Sequence, residues 1–272
     1  MAILCREHDL LYIRVPATGS SVVARALQEE VGGEPVPERP VRRNGDTVVP
    51  KTHCTVSELI THGVLSREFV DRCLVVANVR NPFDRWTTYY QRRAGEDWVE
   101  YSTGVLRRQL EREREEISSE EYDRRREAID RREQEQKRKG RLMRRVGFNA
   151  WMVVTLLRWR WTGRQDTGRK LREYAFPMLG GVDVAIRQER LNEGLNRVLD
   201  LAGLTRCVRL PEKNKTSGKK PHNEYYSWPA RMLIEQMLGE ELAKFGYAFN
   251  GVQNGAAAVV NIDSHSTVSC ND

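Results

Sequence analysis

Apolar positions along this chain fall into two patterns. Short continuous runs, Leu10–Ile13 and Leu74–Val79, are rich in aliphatic and β-branched side chains and read as strands buried on both faces. Each run is followed by a few small or polar residues and then by apolar positions at helical spacing. These are Val22–Leu27 after the first run and Phe83–Arg93 after the second. Pro82 cannot donate to a ladder, so it ends the second strand and opens the helix behind it. Val182–Leu204 repeats the arrangement as strand then helix, with Leu191, Leu195, Val198 and Leu199 on one face and Gly203 as the stop. Trp228–Phe245 predicts a last amphipathic helix. Strands alternating with helices predict an α/β fold with a central parallel sheet flanked by helices.

Other stretches break this rhythm. Val31–Pro50 is rich in Gly, Pro and charge and reads as a loop with a short extended piece. Thr55 or Ser57 is placed to cap a short helix carrying Leu59 and Ile60. Residues 104–145 are dense in Arg and Glu at three- and four-residue spacing, which predicts a charged helical insertion broken at Ile117-Ser118-Ser119. Phe148–Trp161 is strongly apolar and reads as core helix, with Trp159 and Trp161 packing rather than stacking on bases. Pro211–Pro221 is a basic polar loop. Residues 251–272 are small, polar and aperiodic, which predicts a disordered tail behind a single domain at 1–250.

Composition narrows the partners. The 272 residues carry a net charge of +7, which suits an anionic ligand, polymer or surface without choosing among them. Acidic and basic residues are interspersed, so no nucleic-acid stripe is expected. No run approaches the ~20 apolar residues of a membrane span, and the charged N-terminal stretch is unlike a secretory signal. Five widely spaced cysteines with no Cys-x-x-Cys pair predict reduced thiols in a cytoplasmic setting and no metal site.

The chemistry-bearing residues sit at strand ends. Pro16-Ala17-Thr18-Gly19-Ser20-Ser21 joins the first strand to its helix. Backbone N–H groups of such a loop, together with the helix dipole, cradle an anion, although a Gly-Ser-Ser turn is also an ordinary helix start. No Lys follows Gly19, so the Gly-Lys-Ser/Thr loop of kinases and ATPases is missing. Lys51-Thr52-His53 follows Val48-Val49-Pro50, and Arg80 follows Leu74–Val79. In an open α/β sheet, strand carboxyl ends line one crevice, where the three stretches are expected to converge.

These motifs resemble the sulfotransferases that use 3′-phosphoadenosine 5′-phosphosulfate (PAPS) and release 3′,5′-bisphosphoadenosine (PAP). The resemblance implies a P-loop-like three-layer fold. It makes Pro16, Ala17, Thr18, Gly19, Ser20 and Ser21 the 5′-phosphosulfate loop. The segment VVANVRNPFDRWTTYY is similar to the family's second motif, a strand ending in Arg-Asn/Asp-Pro with a hydroxyl residue eight after the Arg. Arg80 would then grip the 3′-phosphate and Thr88 supply the hydroxyl. Lys51-Thr52-His53 looks like the Lys-Thr-His of the cytosolic branch, with His53 as general base. Glu212–Thr216 resembles the late nucleotide-covering loop, which assigns Lys213 and Lys215 to the nucleotide.

The residue types suit in-line sulfuryl transfer, which needs a positioned nucleophile and positive charge on the transferring group and leaving phosphate. His53 takes a proton near neutral pH, Lys51 supplies a point charge and Arg80 a planar fork. No metal is required. One departure stands out: the family has Lys where this chain has Ala17, and Arg14, three residues earlier, is the expected substitute beside Lys51. The alternatives are a PAPS- or PAP-binding relative that lost activity with that lysine, and a nucleotide kinase of related fold. The acceptor, a small molecule, carbohydrate or lipid, is not legible, nor is the oligomeric state.

Overall fold

The computed structural model describes residues 2–43, 46–162, 173, 175–211 and 220–262, without the side chains of residues 158–162. The chain groups into two compact units. The first comprises residues 1–82, 169–215 and 238–272; the second comprises residues 83–168 and 216–237. The sequence suggested one domain with an insertion limited to 104–145.

The first unit is built on a six-stranded sheet, with β1 (Ala2–Cys5), β2 (Leu10–Ile13), β3 (Glu34–Val36), β6 (Leu74–Val79), β7 (Val184–Arg187) and β10 (Val259–Asn261) in the order β10-β7-β6-β2-β1-β3. The central strands β2, β6 and β7 run parallel, with Tyr12 opposite Val76 and Val79 opposite Arg187. The edge strands β1, β3 and β10 pair antiparallel. The parallel centre agrees with the expected α/β class. The antiparallel edges were not read, because β1 and β10 are short and lie in stretches with no helical partner.

Side chains alternate across the sheet, as a two-residue period requires. Leu11, Ile13, Val75 and Ala77 enter one core cluster, and Leu10, Tyr12, Val76 and Ile186 enter the other. Helix α1 (Ser20–Val31) lays Val23, Ala24 and Leu27 on the second cluster. A separate hairpin of β4 (Val41–Arg43) and β5 (Asp46–Val49) fills the stretch read as loop, and it sends Val49 into the first cluster. The strand before Lys51 is therefore outside the parallel sheet. Helices α2 (Val56–Thr61) and α3 (Arg67–Val70) follow. The Thr55 hydroxyl accepts from the Glu58 N–H at 3.1 Å while the Glu58 carboxylate accepts from the Thr55 N–H at 2.7 Å, a reciprocal cap.

The second unit starts one residue into α4 (Pro82–Ala94) and contains α5 (Glu96–Arg112) and α6 (Ser119–Thr162). Partners of α5 fall as α6 numbers rise: Arg125 with Glu113, Arg107 with Asp130, Lys137 with Glu100, Arg144 with Glu96. That ordering makes an antiparallel hairpin. It starts earlier than the expected insertion, but its break at 113–118 matches. Gly147 interrupts α6 with φ 77° and ψ 166°. An aromatic core of Trp86, Tyr90, Phe148, Trp151 and Tyr226 holds this unit, with Phe148 and Tyr226 4.8 Å apart edge to face. Trp159 and Trp161, predicted to pack, lie outside the described side chains.

Helix α7 (Leu191–Leu201) follows β7 in the first unit, and its Leu195, Val198 and Leu199 are buried as expected. Helix α8 (Trp228–Lys244) bends at Leu238. Residues 251–262, read as part of a loose tail, carry β9 (Gly251–Val252), which pairs with β8 (Tyr247–Ala248), and the edge strand β10. Residues 263–272 lie outside the description.

Candidate active site

The loop between β2 and α1 takes its shape from hydrogen bonds to three strand-end residues. Ala17 and Gly19 both adopt the left-handed region, with φ 62° and 75°. Gly19 needs it most, since a side chain there would also press on Leu191 Cδ2 at 3.0 Å. The hydroxyls of Thr18 and Ser20 both donate to the Val15 carbonyl at 2.8 Å and are buried. The sequence assigned those hydroxyls to the ligand; here their hydrogens are committed to folding the loop. The loop carbonyls turn toward β6, where Asn78 Nδ2 donates to Thr18 O at 3.0 Å and Arg80 Nη1 donates to Ala17 O at 2.8 Å. The Val22 N–H donates to the Gly19 carbonyl at 3.0 Å, and with the loop's hydroxyls and other carbonyls drawn inward the Ser20 and Ser21 N–H groups open the helix. No acidic residue occupies the first turn of α1 to offset its dipole.

Arg14 adds a second positive element. It is half-buried at the end of β2, and its Nη2 donates to Ser21 Oγ at 3.0 Å. The Ser21 hydroxyl accepts there, so its own hydrogen stays available. Arg14 Nε is buried with no partner, and no carboxylate pairs with this guanidinium among the described residues. Burial lowers the Arg14 pKa below its ordinary value, with the hydroxyl of Tyr12 and the Cys54 thiol acting in the opposite sense. The group stays cationic at neutral pH. A cation beside a helix N-terminus repels the dipole unless an anion lies between them.

His53 is tied to the same residue. Its ring Nδ1 lies 2.8 Å from the Arg14 carbonyl, an acceptor only, so Nδ1 carries the hydrogen and Nε2 is the basic nitrogen. His53 is exposed and has φ 61°, a left-handed conformation that turns its ring back toward β2. Lys51, two residues earlier, is exposed and forms no ion pair among the described residues. The structure thus brings His53 to the loop strand although β5 is not in the main sheet.

At the end of β6, Arg80 is nine-tenths buried. Next to it, the Asn81 N–H donates to Glu189 Oε1 at 2.9 Å, and Tyr247 donates to Glu189 Oε2 at 3.0 Å. Burial and Glu189 together push the Tyr247 hydroxyl well above its usual range, so it remains a donor. Glu189 is therefore a brace, accepting from both Asn81 and Tyr247. Thr88 is buried in the second unit and donates to Asp84 O at 3.0 Å. Lys213 and Lys215 lie outside the described residues.

Sequence reasoning missed Asn78 and Gln188. Asn78 sits inside the apolar run Leu74–Val79 and is fully buried, with Oδ1 lacking a partner. Gln188 follows β7 with its Oε1 likewise buried and unpartnered, and its Cγ lies 3.7 Å from where a side chain at Gly19 would begin. An amide in mid-strand was the available signal for Asn78, because such a group is expensive to bury without a purpose. Gln188 carried no such mark.

The comparisons agree with this picture at the level of family. No curated protein and no solved structure matches the chain. A family model described as "Sulfotransferase family" matches residues 1–248, nearly the whole described chain. The chain belongs to the sulfotransferase family.

Proposed function

We propose that this protein transfers a sulfuryl group from 3′-phosphoadenosine 5′-phosphosulfate to an acceptor hydroxyl. The observation that carries the reading is a ring of buried, unpartnered polar atoms around one loop: Arg14 Nε, Asn78 Oδ1 and Gln188 Oε1, at the ends of β2, β6 and β7. Buried polar atoms without partners are rare and call for a ligand or a bound water. Donors beside a helix N-terminus select an anion, and the two amide oxygens suit the N–H or O–H groups of a nucleoside.

The donor, when bound, supplies a sulfuryl group activated by a phosphate leaving group. The N-terminal N–H groups of α1 and the Ser21 hydroxyl hold the anionic end. Arg14 places a planar charge beside that end, and Arg80, already bonded to the Ala17 carbonyl, couples a phosphate contact to loop shape. Lys51 adds a mobile cation. His53 Nε2 accepts the acceptor's proton, with Nδ1–H fixed on the Arg14 carbonyl so that the ring keeps the right tautomer.

A second reading, a protein that binds the nucleotide without turnover, is favoured by Ala17, whose methyl group cannot neutralise a leaving oxygen. Calorimetry with 3′,5′-bisphosphoadenosine and a labelled-sulfate transfer screen against sugars, phenols, lipids and peptides separate the two. The leading reading expects micromolar binding together with transfer. Binding without transfer favours the second, and binding of ATP with magnesium in place of the bisphosphate would sink both.

A further inference from the structure

The second unit carries a surface that the proposed chemistry does not use. In α6, Arg138, Arg141, Leu142, Arg145 and Val146 are all exposed, and their spacing of three and four residues puts them on one helix face. Arg138, Arg141 and Arg145 form no salt bridge among the described residues, whereas the acidic neighbours Glu133 and Glu135 are taken by Lys137 and Lys139. No acidic residue occurs between residues 136 and 150.

Past the break at Gly147 the second segment of the helix exposes aliphatic side chains of its own. Phe148, Met152 and Leu156 are buried, while Ala150, Val154 and Leu157 face out, with Val154 63% exposed. Beside this start of the second segment, Asn149 Oδ1 accepts from the Ser227 N–H at 2.7 Å, which places Trp228 nearby with 71% of its surface exposed. Exposed Leu, Val and Trp beside arginines that form no salt bridge among the described residues are poorly suited to bulk water.

We propose that this face docks on an anionic lipid bilayer. Leu142, Val146, Val154 and Leu157 enter the headgroup region, Trp228 sits at the interface, and the three arginines meet lipid phosphate and carboxylate. Charge sign fixes an anionic occupant. The exposed aliphatic side chains select lipid over a nucleic acid or an acidic polysaccharide, whose backbones offer nothing for Leu and Val to enter.

The test is vesicle sedimentation of the full chain with phosphatidylcholine alone and with phosphatidylcholine carrying about 30% phosphatidylserine. Binding to the mixed vesicles is expected, with little to the neutral ones, and most of it lost at ~1 M salt, where screening is nearly complete. The triple variant R138E/R141E/R145E should weaken partitioning about 100-fold or more, on the basis of roughly fivefold per cation. A second variant, L142S/V154S, should weaken it while leaving the circular dichroism spectrum unchanged. Four results would overturn the proposal: equal binding to both vesicles, no binding to either, capture by heparin or RNA without vesicle binding, or displacement from vesicles by millimolar inorganic phosphate.

Discussion

His53 Nδ1 donates to the main-chain carbonyl of Arg14 across 2.8 Å, and the Arg14 guanidinium reaches Ser21 at the opening of α1. One residue of β2 therefore orients the general-base candidate with its backbone and charges the anion loop with its side chain. The proposed base and the proposed cradle are positioned together because they hang on the same Cα.

For His53→Ala this arrangement gives a split outcome. The imidazole bonds the loop strand through the Arg14 carbonyl rather than through a group proposed to hold the nucleotide, so affinity for 3′,5′-bisphosphoadenosine should stay within a few-fold. Turnover should fall by about 10²–10⁴, the usual worth of a positioned base. Parallel titration calorimetry and sulfate-transfer assays check it. A variant with full turnover removes His53 from the chemistry.

Arg80→Ala should act on binding. Its Nη1 bond to Ala17 O shapes the loop, and its charge is the proposed phosphate contact, so both losses should reduce affinity. A charge-assisted hydrogen bond is worth about 1.5–3 kcal/mol, which is roughly a 10- to 100-fold weaker Kd. Arg80→Lys should recover only part of it, since an ammonium cannot serve the carbonyl and a phosphate with one rigid fork. Equal affinities for wild type and Arg80→Ala would refute the phosphate role.

Much of this was legible because it is local. The strand-loop-helix at Leu10–Leu27 and the Arg80-Asn81-Pro82 helix start are written in adjacent residues, and the reciprocal cap at Thr55 needs only a spacing of three. What escaped depends on partners far along the chain. Thr18 and Ser20 look like ligand donors until the loop folds back on Val15. Asn78 looks like one more strand residue until Thr18, sixty positions earlier, arrives at its amide. Residues 34–49 and 251–262 form strands only because a hairpin partner or a sheet edge accepts them, and their short runs carry little pattern of their own.

Asn78→Ala should cost stability and also change how the nucleotide stabilises the fold. Losing the Nδ2 bond leaves Thr18 O buried without its donor, a penalty of about 1–3 kcal/mol. If Oδ1 faces the ligand, the rise in Tm produced by saturating 3′,5′-bisphosphoadenosine should shrink as well. Thermal unfolding with and without the bisphosphate reads both effects. A lower Tm with an undiminished ligand-induced rise would make Asn78 a purely structural support.

A purely structural prediction concerns Gly194 in α7. A methyl group there would begin 2.5 Å from Ile186 Cγ2 and 3.3 Å from the Ala258 carbonyl. Helix α7 must then lift from β7, and overpacking of this kind costs about 1–3 kcal/mol. Chemical denaturation of Gly194→Ala should show a lower midpoint at an unchanged slope. An unshifted midpoint would mean that α7 is not packed against β7 as closely as described.

The sharpest question is whether Arg14 stands in for the lysine that Ala17 replaces. Arg14 has the attributes of a substitute: desolvation, an unpartnered Nε–H, no carboxylate and a hydrogen bond to the helix start. Arg14→Ala should therefore lower turnover by about 10²–10³, the typical loss when one preorganised donor to developing charge is removed. Because a structural role would also slow the enzyme, the decisive measurement is rescue. Ala17 already tolerates the left-handed region with a Cβ, so Ala17→Lys adds a charged chain without a new backbone demand. In the Arg14→Ala background, Ala17→Lys should restore a large part of kcat; in the wild-type background it should add little. If the lysine raises kcat equally in both backgrounds, Arg14 and position 17 act independently and Arg14 is no substitute.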